Sequence, residues 1–183
     1  MKLNLKLAMA MISAVALLGG CVSDSTYNKE VNTANTYKQL NTQLSGEVSA
    51  DQAEIQQLQG VIRVTLANGI LFPEGGWQLS ATGKATLDRL APVLATLTGQ
   101  RIEIKGYTDN LPIGPELKSR FPDNVALSNA RAQSVANELV SNGVPAGMLA
   151  VTGYGDADPV ASNDTPQGRA KNRRVVMDII SAN

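Results

Sequence analysis

Residues 101–110 read RIEIKGYTDN. Arg101 to Lys105 alternate polar and apolar, placing Ile102 and Ile104 on one side, the pattern of a strand with one buried face. Gly106 and Tyr107 close the run and Asp109 stands at its mouth. The next stretch, NLPIGPELKSRFPDN at 110–124, carries Pro112, Pro115 and Pro122. It is too proline-rich to be helical throughout and reads as a loop of functional length. Beyond it the apolar spacing turns helical, so the chain here is strand, long loop, helix.

The same alternation of types extends in both directions. VIRVTLANGILF, residues 61–72, reads as a strand or a bent strand pair. Ser80 is placed to cap a helix with Leu87, Leu90, Ala91 and Leu94 on one face. Pro92 falls inside that pattern and should kink or divide it. After the loop, Ser128 is a candidate cap for a second helix with the stripe Ala132, Val135, Ala136 and Leu139, ending near Gly143. MLAVTGYG at 148–155 and RRVVMDII at 173–180 supply two further strands. The fold class expected is an α/β (α+β) sandwich, one mixed sheet with helices on one face, over residues 61–183.

The chain has 183 residues with 16 Lys plus Arg and 16 Asp plus Glu. That balance gives no field suited to nucleic acid, and none is expected as a partner. There is no histidine, which removes the commonest general base and metal ligand. No cofactor and no metal are expected. Residues 1–20, MKLNLKLAMAMISAVALLGG, have the layout of a secretory signal: Lys2 and Lys6, an apolar run from Leu7 to Leu18, then small residues. That run is short of the roughly 20 residues of a membrane span. Cys21, the single cysteine, comes at once after it, so no intramolecular disulfide is available.

Residues 22–60 are polar and free of proline. Leu58, Ile55, Val48, Leu44, Tyr37, Ala34 and Tyr27 recur at alternating threes and fours, with Asp51, Asn41 and Glu30 interrupting the seam. A coiled-coil helix, offering self-association, and a solvated, partly helical spacer are both open. Helical throughout, the segment would reach on the order of 58 Å.

If Ser128 caps its helix, Arg131 lies in the first turn, where a cation is unfavourable unless an anion rests against it. With Asp109 across the loop, a ligand bearing both an ammonium and a carboxylate would satisfy both ends. The plain alternatives are an Asx-turn at Asp109 and a surface pairing of Arg131 with Asp109 or Asp123.

GYTDN at 106–110, NVALSNARAQSVANELVSNGV at 124–144, GYGDADP at 153–159, SND at 162–164 and GRAKNRRV at 168–175 together resemble the OmpA-like C-terminal domain. That domain occurs also in the peptidoglycan-associated lipoprotein and in the flagellar stator protein MotB. The resemblance spans about Val61 to Ile180 and implies a β-α-β-α-β-(α)-β domain that binds peptidoglycan noncovalently through diaminopimelate in the stem peptides. It implies that Asp109 and Arg131 grip the amino and carboxylate groups, with Thr108, Asn110, Asn124, Leu127 and Ser128 in support. The long loop 111–123 is closer to the stator subgroup, and it either frames the ligand or meets a partner. Arg169, Lys171, Arg173 and Arg174 form a solvated basic turn, or one with a second role near glycan or phosphate.

LGGC at 18–21 resembles the bacterial lipobox and implies cleavage before Cys21 and acylation there, where several chains anchor durably. Val22 in place of an acid implies the outer membrane, with the domain in the periplasm. The expected function is therefore a lipid-anchored tether between outer membrane and wall. A wall-anchoring subunit of an envelope machine, a motor or secretion system with a protein partner, is the alternative. A hydrolase using Asp109, Glu116 and Asp123 as paired carboxylates lacks a histidine, a free cysteine and a metal cluster to support it.

Overall fold

The computed structural model describes residues 24–45, 48–49 and 52–182; the signal-like segment 1–20 and Cys21 lie outside them. Alternation in VIRVTLA makes β2 (Val61–Ala67), whose Ile62, Val64 and Leu66 are buried while the residues between them are half-buried. A two-residue turn at Gln59 and Gly60 folds β1 (Ala53–Leu58) back onto it, Leu58 opposite Val61. The chain continues through α2 (Asn68–Leu71), α3 (Ala81–Ala95), β3 (Gln100–Gly106), α4 (Pro115–Lys118) and α5 (Asn124–Ser141). A 3-10 turn at Ala146–Met148 leads into β4 (Leu149–Gly153), and α6 (Pro166–Asn172) precedes β5 (Arg174–Ser181).

The five strands form one mixed sheet in the order β1-β2-β5-β3-β4. β5 is antiparallel to both of its neighbours, and β3 and β4 are parallel, joined by the α5 crossover. One face is apolar: Ile62, Val64 and Leu66 join Ile102 and Ile104 of β3 and Val175, Met177 and Ile179 of β5. Against it pack Leu87, Leu90, Ala91 and Leu94 of α3 and Ala132, Val135, Ala136 and Leu139 of α5. The expected sandwich with its helices on one face is thus the observed architecture, including both helical stripes.

Three local expectations change. ANGILF is not a second strand, since Asn68–Leu71 turn as α2. Pro92 does not divide α3. The carbonyl that its missing N–H leaves unpaired belongs to Asp88, and both residues are exposed, so water can take that bond. The segment before residue 61 is not one helix. α1 (Asp24–Leu44) is helical, whereas Ile55 and Leu58 of the expected seam lie in strand β1. There a period of two wins, because Ala53 and Ile55 pack on the core cluster while β1 completes the edge of β2. Nor does α1 stand clear of the sheet: it lies along α3 and against β1 with Thr36, Leu40 and Leu44 buried.

The opposite face carries no helix from these layers and is charged. On β5, Arg174, Val176 and Asp178 alternate with the core residues and are themselves buried. Asp178 accepts two hydrogen bonds from Arg63, 2.7 and 2.8 Å, and one from Lys105, 2.9 Å. Burial alone would raise its pKa, but these charge-assisted bonds outweigh burial and hold it below the usual carboxylate range.

The strand ends carry the tightest packing. Gly106 and Gly153 are register partners at the ends of β3 and β4. A Cβ on Gly106 would stand 2.1 Å from the Ser128 carbonyl oxygen, and one on Gly153 would stand 2.4 Å from both the Val125 oxygen and the Asn129 nitrogen. The backbone of α5 therefore lies directly on the sheet at this point. Gly106→Ala should destabilise the fold by on the order of 3 kcal/mol, as backbone cannot yield the way a side chain can. Chemical denaturation checks this; an unchanged midpoint would contradict the close approach.

Candidate functional site

Those two glycines bring three segments together at one end of the sheet. The Thr108 N–H donates to the Gly155 carbonyl at 2.7 Å, and the Gly155 N–H donates to Ser128 Oγ at 2.9 Å. Thr108 Oγ1 donates to the Asp109 carbonyl, 2.9 Å. Asn124 Nδ2 donates to the Leu111 carbonyl at 3.0 Å and reaches the Asp109 carbonyl at 3.5 Å. The turn after β3 is thus clamped on both sides, and its acid is held in one orientation.

Asp109 is 7% exposed. Its Oδ1 accepts the Leu111 N–H at 3.1 Å, the Asx-turn that the sequence leaves open. Its Oδ2 accepts a 2.6 Å hydrogen bond from Arg173 Nη1. Sequence alone groups Arg173 with a basic turn, but its side chain belongs to this cluster. The neighbouring arginine takes the other direction, Arg174 lying buried against the Tyr107 ring on the charged sheet face. The signal is present in the start of β5: consecutive residues entering a strand point to opposite faces, so RR at its threshold serves two places.

One geometric expectation is overturned. Ser128 does not cap α5. Asp123 does, its Oδ1 accepting the Ala126 N–H at 2.7 Å. Ser128 is fully buried inside the helix, donating to the Val125 carbonyl at 2.9 Å. Arg131 consequently lies about two turns into α5, and the free N–H groups of the helix start are not what surrounds it. An acid just before an apolar helix is as good a cap as a serine; the proline at 122 draws the boundary earlier than the apolar stripe suggests.

What does surround Arg131 is protein. It is 7% exposed, its Nε donates to the Gly76 carbonyl at 2.9 Å, and its guanidinium sits 5.7 Å from the centroid of the Phe72 ring. Among the described residues it forms no ion pair. Burial, with a smaller contribution from the nearby Arg173 cation, lowers its pKa to about 10, against the opposing pull of Asp109. The Asp109 and Arg131 side chains therefore share one electrostatic neighbourhood with Arg173: two cations and one acid.

The long loop has a core of its own. Ile113 and Phe121 bury themselves with Leu127, beside the partly buried Trp77 and Leu117. Phe121 meets Trp77 edge-on at 5.4 Å, and Arg120 lies 4.5 Å over the Trp77 ring. Leu127 thus anchors the loop, while Asn110 is exposed at its start. Arg169 also leaves the basic cluster, donating to the Asn163 carbonyl at 2.7 Å.

A cation kept in surroundings that lower its pKa costs stability at every pH below about 10, and the cost declines above it. Arg131→Met keeps the stem and removes the charge. It should raise stability by on the order of 1 kcal/mol, read as a higher thermal midpoint at pH 7. A lower midpoint would show that the guanidinium is a structural group.

The comparisons with known proteins bear on the family and the fold. The OmpA family pattern matches residues 71–173. The chain is 41% identical over 118 residues to the peptidoglycan-binding protein ArfA of Mycobacterium tuberculosis, which covers 64% of this chain but only 34% of ArfA. It is 30% identical over 177 residues to the outer-membrane lipoprotein YfiB of Pseudomonas aeruginosa, covering 93% of this chain and 90% of YfiB. Among solved structures, the cell wall anchor of the T6SS from Pseudomonas aeruginosa superposes with a TM-score of 0.69 at 31% identity, covering 78% of this chain and 96% of that one.

Proposed function

This chain belongs to the OmpA family, and we propose that it is a non-catalytic, outer-membrane lipoprotein that tethers the membrane to the cell wall. Its periplasmic domain, built on the five-stranded sheet that begins with β1, binds peptidoglycan noncovalently through the diaminopimelate of the stem peptides. The observation that carries this reading is Arg131: a buried guanidinium with no ion pair among the described residues, beside an oriented carboxylate. A structure that keeps an uncompensated cation at a cost in stability is suited to an anion that arrives from outside.

The far end of diaminopimelate carries an ammonium and a carboxylate on one carbon. Arg131 takes the carboxylate and Asp109 the ammonium. As the ammonium reaches Asp109 Oδ2, it competes with Arg173, which is then free to join Arg131 on the carboxylate. Thr108 and Asn124 hold the turn that presents Asp109, Ser128 fixes the 155 turn, and Leu127 seats the loop; exposed Asn110 is at the rim. Lysine at the same stem position lacks the carboxylate and leaves both arginines unmatched.

Anchoring rests on Cys21 behind the lipobox-like LGGC, preceded by the signal-like residues 1–20, and the name of YfiB supports it. α1 then serves as the link between anchor and domain. The T6SS anchor likeness favours a second reading, in which the same wall site serves a subunit of an envelope machine. Cross-linking in intact cells separates the two: a discrete protein partner supports the machine, and wall alone supports the plain tether.

Asp109→Ala and Arg131→Ala should each lose co-sedimentation with purified sacculi by tenfold or more in affinity, since each removes a charge-assisted pair of about 1.5–3 kcal/mol. Retained binding in both folded variants would overturn the site.

A further inference from the structure

The sheet face opposite α3 and α5 holds a groove of about 1070 Å³, outside the site just described. We propose that this groove is a second wall contact, taking the carboxylate-bearing units of the peptidoglycan molecule that adjoin the diaminopimelate held by Asp109 and Arg131. The proposal rests on that reading of the first site.

Two features of the groove point to this occupant. The first is its charge. Arg63, Lys105, Lys171 and Arg174 line it against the two acids Glu54 and Asp158. Arg63 and Lys105 are spent on Asp178 beneath them, Lys105 also on Glu103, and Arg174 donates to the Asn172 and Asp158 carbonyls. Lys171 is exposed and has no ion pair among the described residues. Tyr107 and Tyr154 stack at 5.2 Å with Arg174 over the Tyr107 ring. Neither phenol hydroxyl has a hydrogen-bond partner among the described residues. Among the described residues the groove therefore keeps one cation outside any ion pair or side-chain hydrogen bond, Lys171, and two phenol donors without a partner, and these match an acceptor-rich anion.

The second feature is continuity. Tyr107 is two residues ahead of Asp109, and Arg174 comes directly after Arg173, whose guanidinium holds Asp109. Tyr154 precedes Gly155, the residue that clamps Thr108 and Ser128. The groove opens at the same strand ends as the site, on the other side of the sheet. A stem peptide gripped by its diaminopimelate carries further free carboxylates along the same covalent molecule, and those nearest the strand ends enter the groove without a second encounter.

Sacculus binding and binding of free diaminopimelate, which carries none of the adjoining units, separate the two contacts. Lys171→Glu should weaken sacculus affinity roughly threefold or more and flatten its salt dependence, and Glu54→Lys should strengthen it by a similar factor. Tyr154→Phe, which keeps the ring stack, should weaken it less. Affinity for free diaminopimelate should stay within twofold in all three. Unchanged sacculus affinity across this charge series overturns the groove while leaving the first site standing, as does a change that tracks free diaminopimelate. Sensitivity to Lys171→Glu only when a purified acidic protein is the ligand would reassign the groove to a protein partner and overturn the proposal equally. Absence of diaminopimelate binding in the unaltered protein would fail the first site instead.

Discussion

The approach of the α5 backbone to Gly106 and Gly153 is the constraint on which the rest of the structure depends. With no side chain on either residue, the helix sets its Val125, Ser128 and Asn129 atoms on the ends of two parallel strands. That contact fixes how far the chain must travel from β3 to reach α5, and it brings the turns at 107–110 and 154–158 against the start of the helix. The Asp109 turn then meets Asn124 directly, and Ser128 by way of Gly155, across the whole length of the intervening loop. The same dipeptide, Gly-Tyr, ends both strands. Its glycines face the helix and its tyrosines stack on the opposite face, so one repeated word builds the floor of the candidate site and the wall of the groove behind it.

Electrostatics divides these two places. On the face opposite α3 and α5 the acid is satisfied: Asp178 is matched by Arg63 and Lys105, and its pKa is held down despite burial. At the strand ends the balance is incomplete. Asp109 is taken by Arg173, and Arg131, more deeply buried than Arg173, is left with a backbone carbonyl and the face of Phe72. Stability alone does not account for a buried cation so placed. The turn around Asp109 is rigid by comparison, with its carbonyl and both carboxylate oxygens engaged, so a ligand meets a preformed acceptor.

Much of this is legible in the sequence, and the failures have physical causes. Ile102 and Ile104, the α3 and α5 stripes and the strand at 174–181 follow from periodicity, which burial enforces directly. Asp109 and Arg131 are visible as a pair, yet the helix-start reason for Arg131 fails because Asp123, not Ser128, starts the helix. Its significance comes from burial against Gly76 and Phe72, a tertiary fact with no local signature. Ile55 and Leu58 fit a heptad seam as well as a strand, and only the pairing with β2 decides between them. Arg173 escapes a sequence reading because the four basic residues within 169–174 look solvated until the strand assigns alternate ones to alternate faces.

The central claim is that Asp109, Arg131 and Arg173 form one recognition site for a zwitterionic side chain. The most direct test tracks the arginine Nε–H and backbone amide signals by NMR during titration with a diaminopimelate-containing stem peptide and, separately, its lysine counterpart. Saturable shifts are predicted at Arg131, Arg173 and the 108–111 turn with the diaminopimelate peptide, and at least tenfold weaker binding of the lysine one. Equal affinity for the two peptides, or shifts that bypass Arg131, would contradict it.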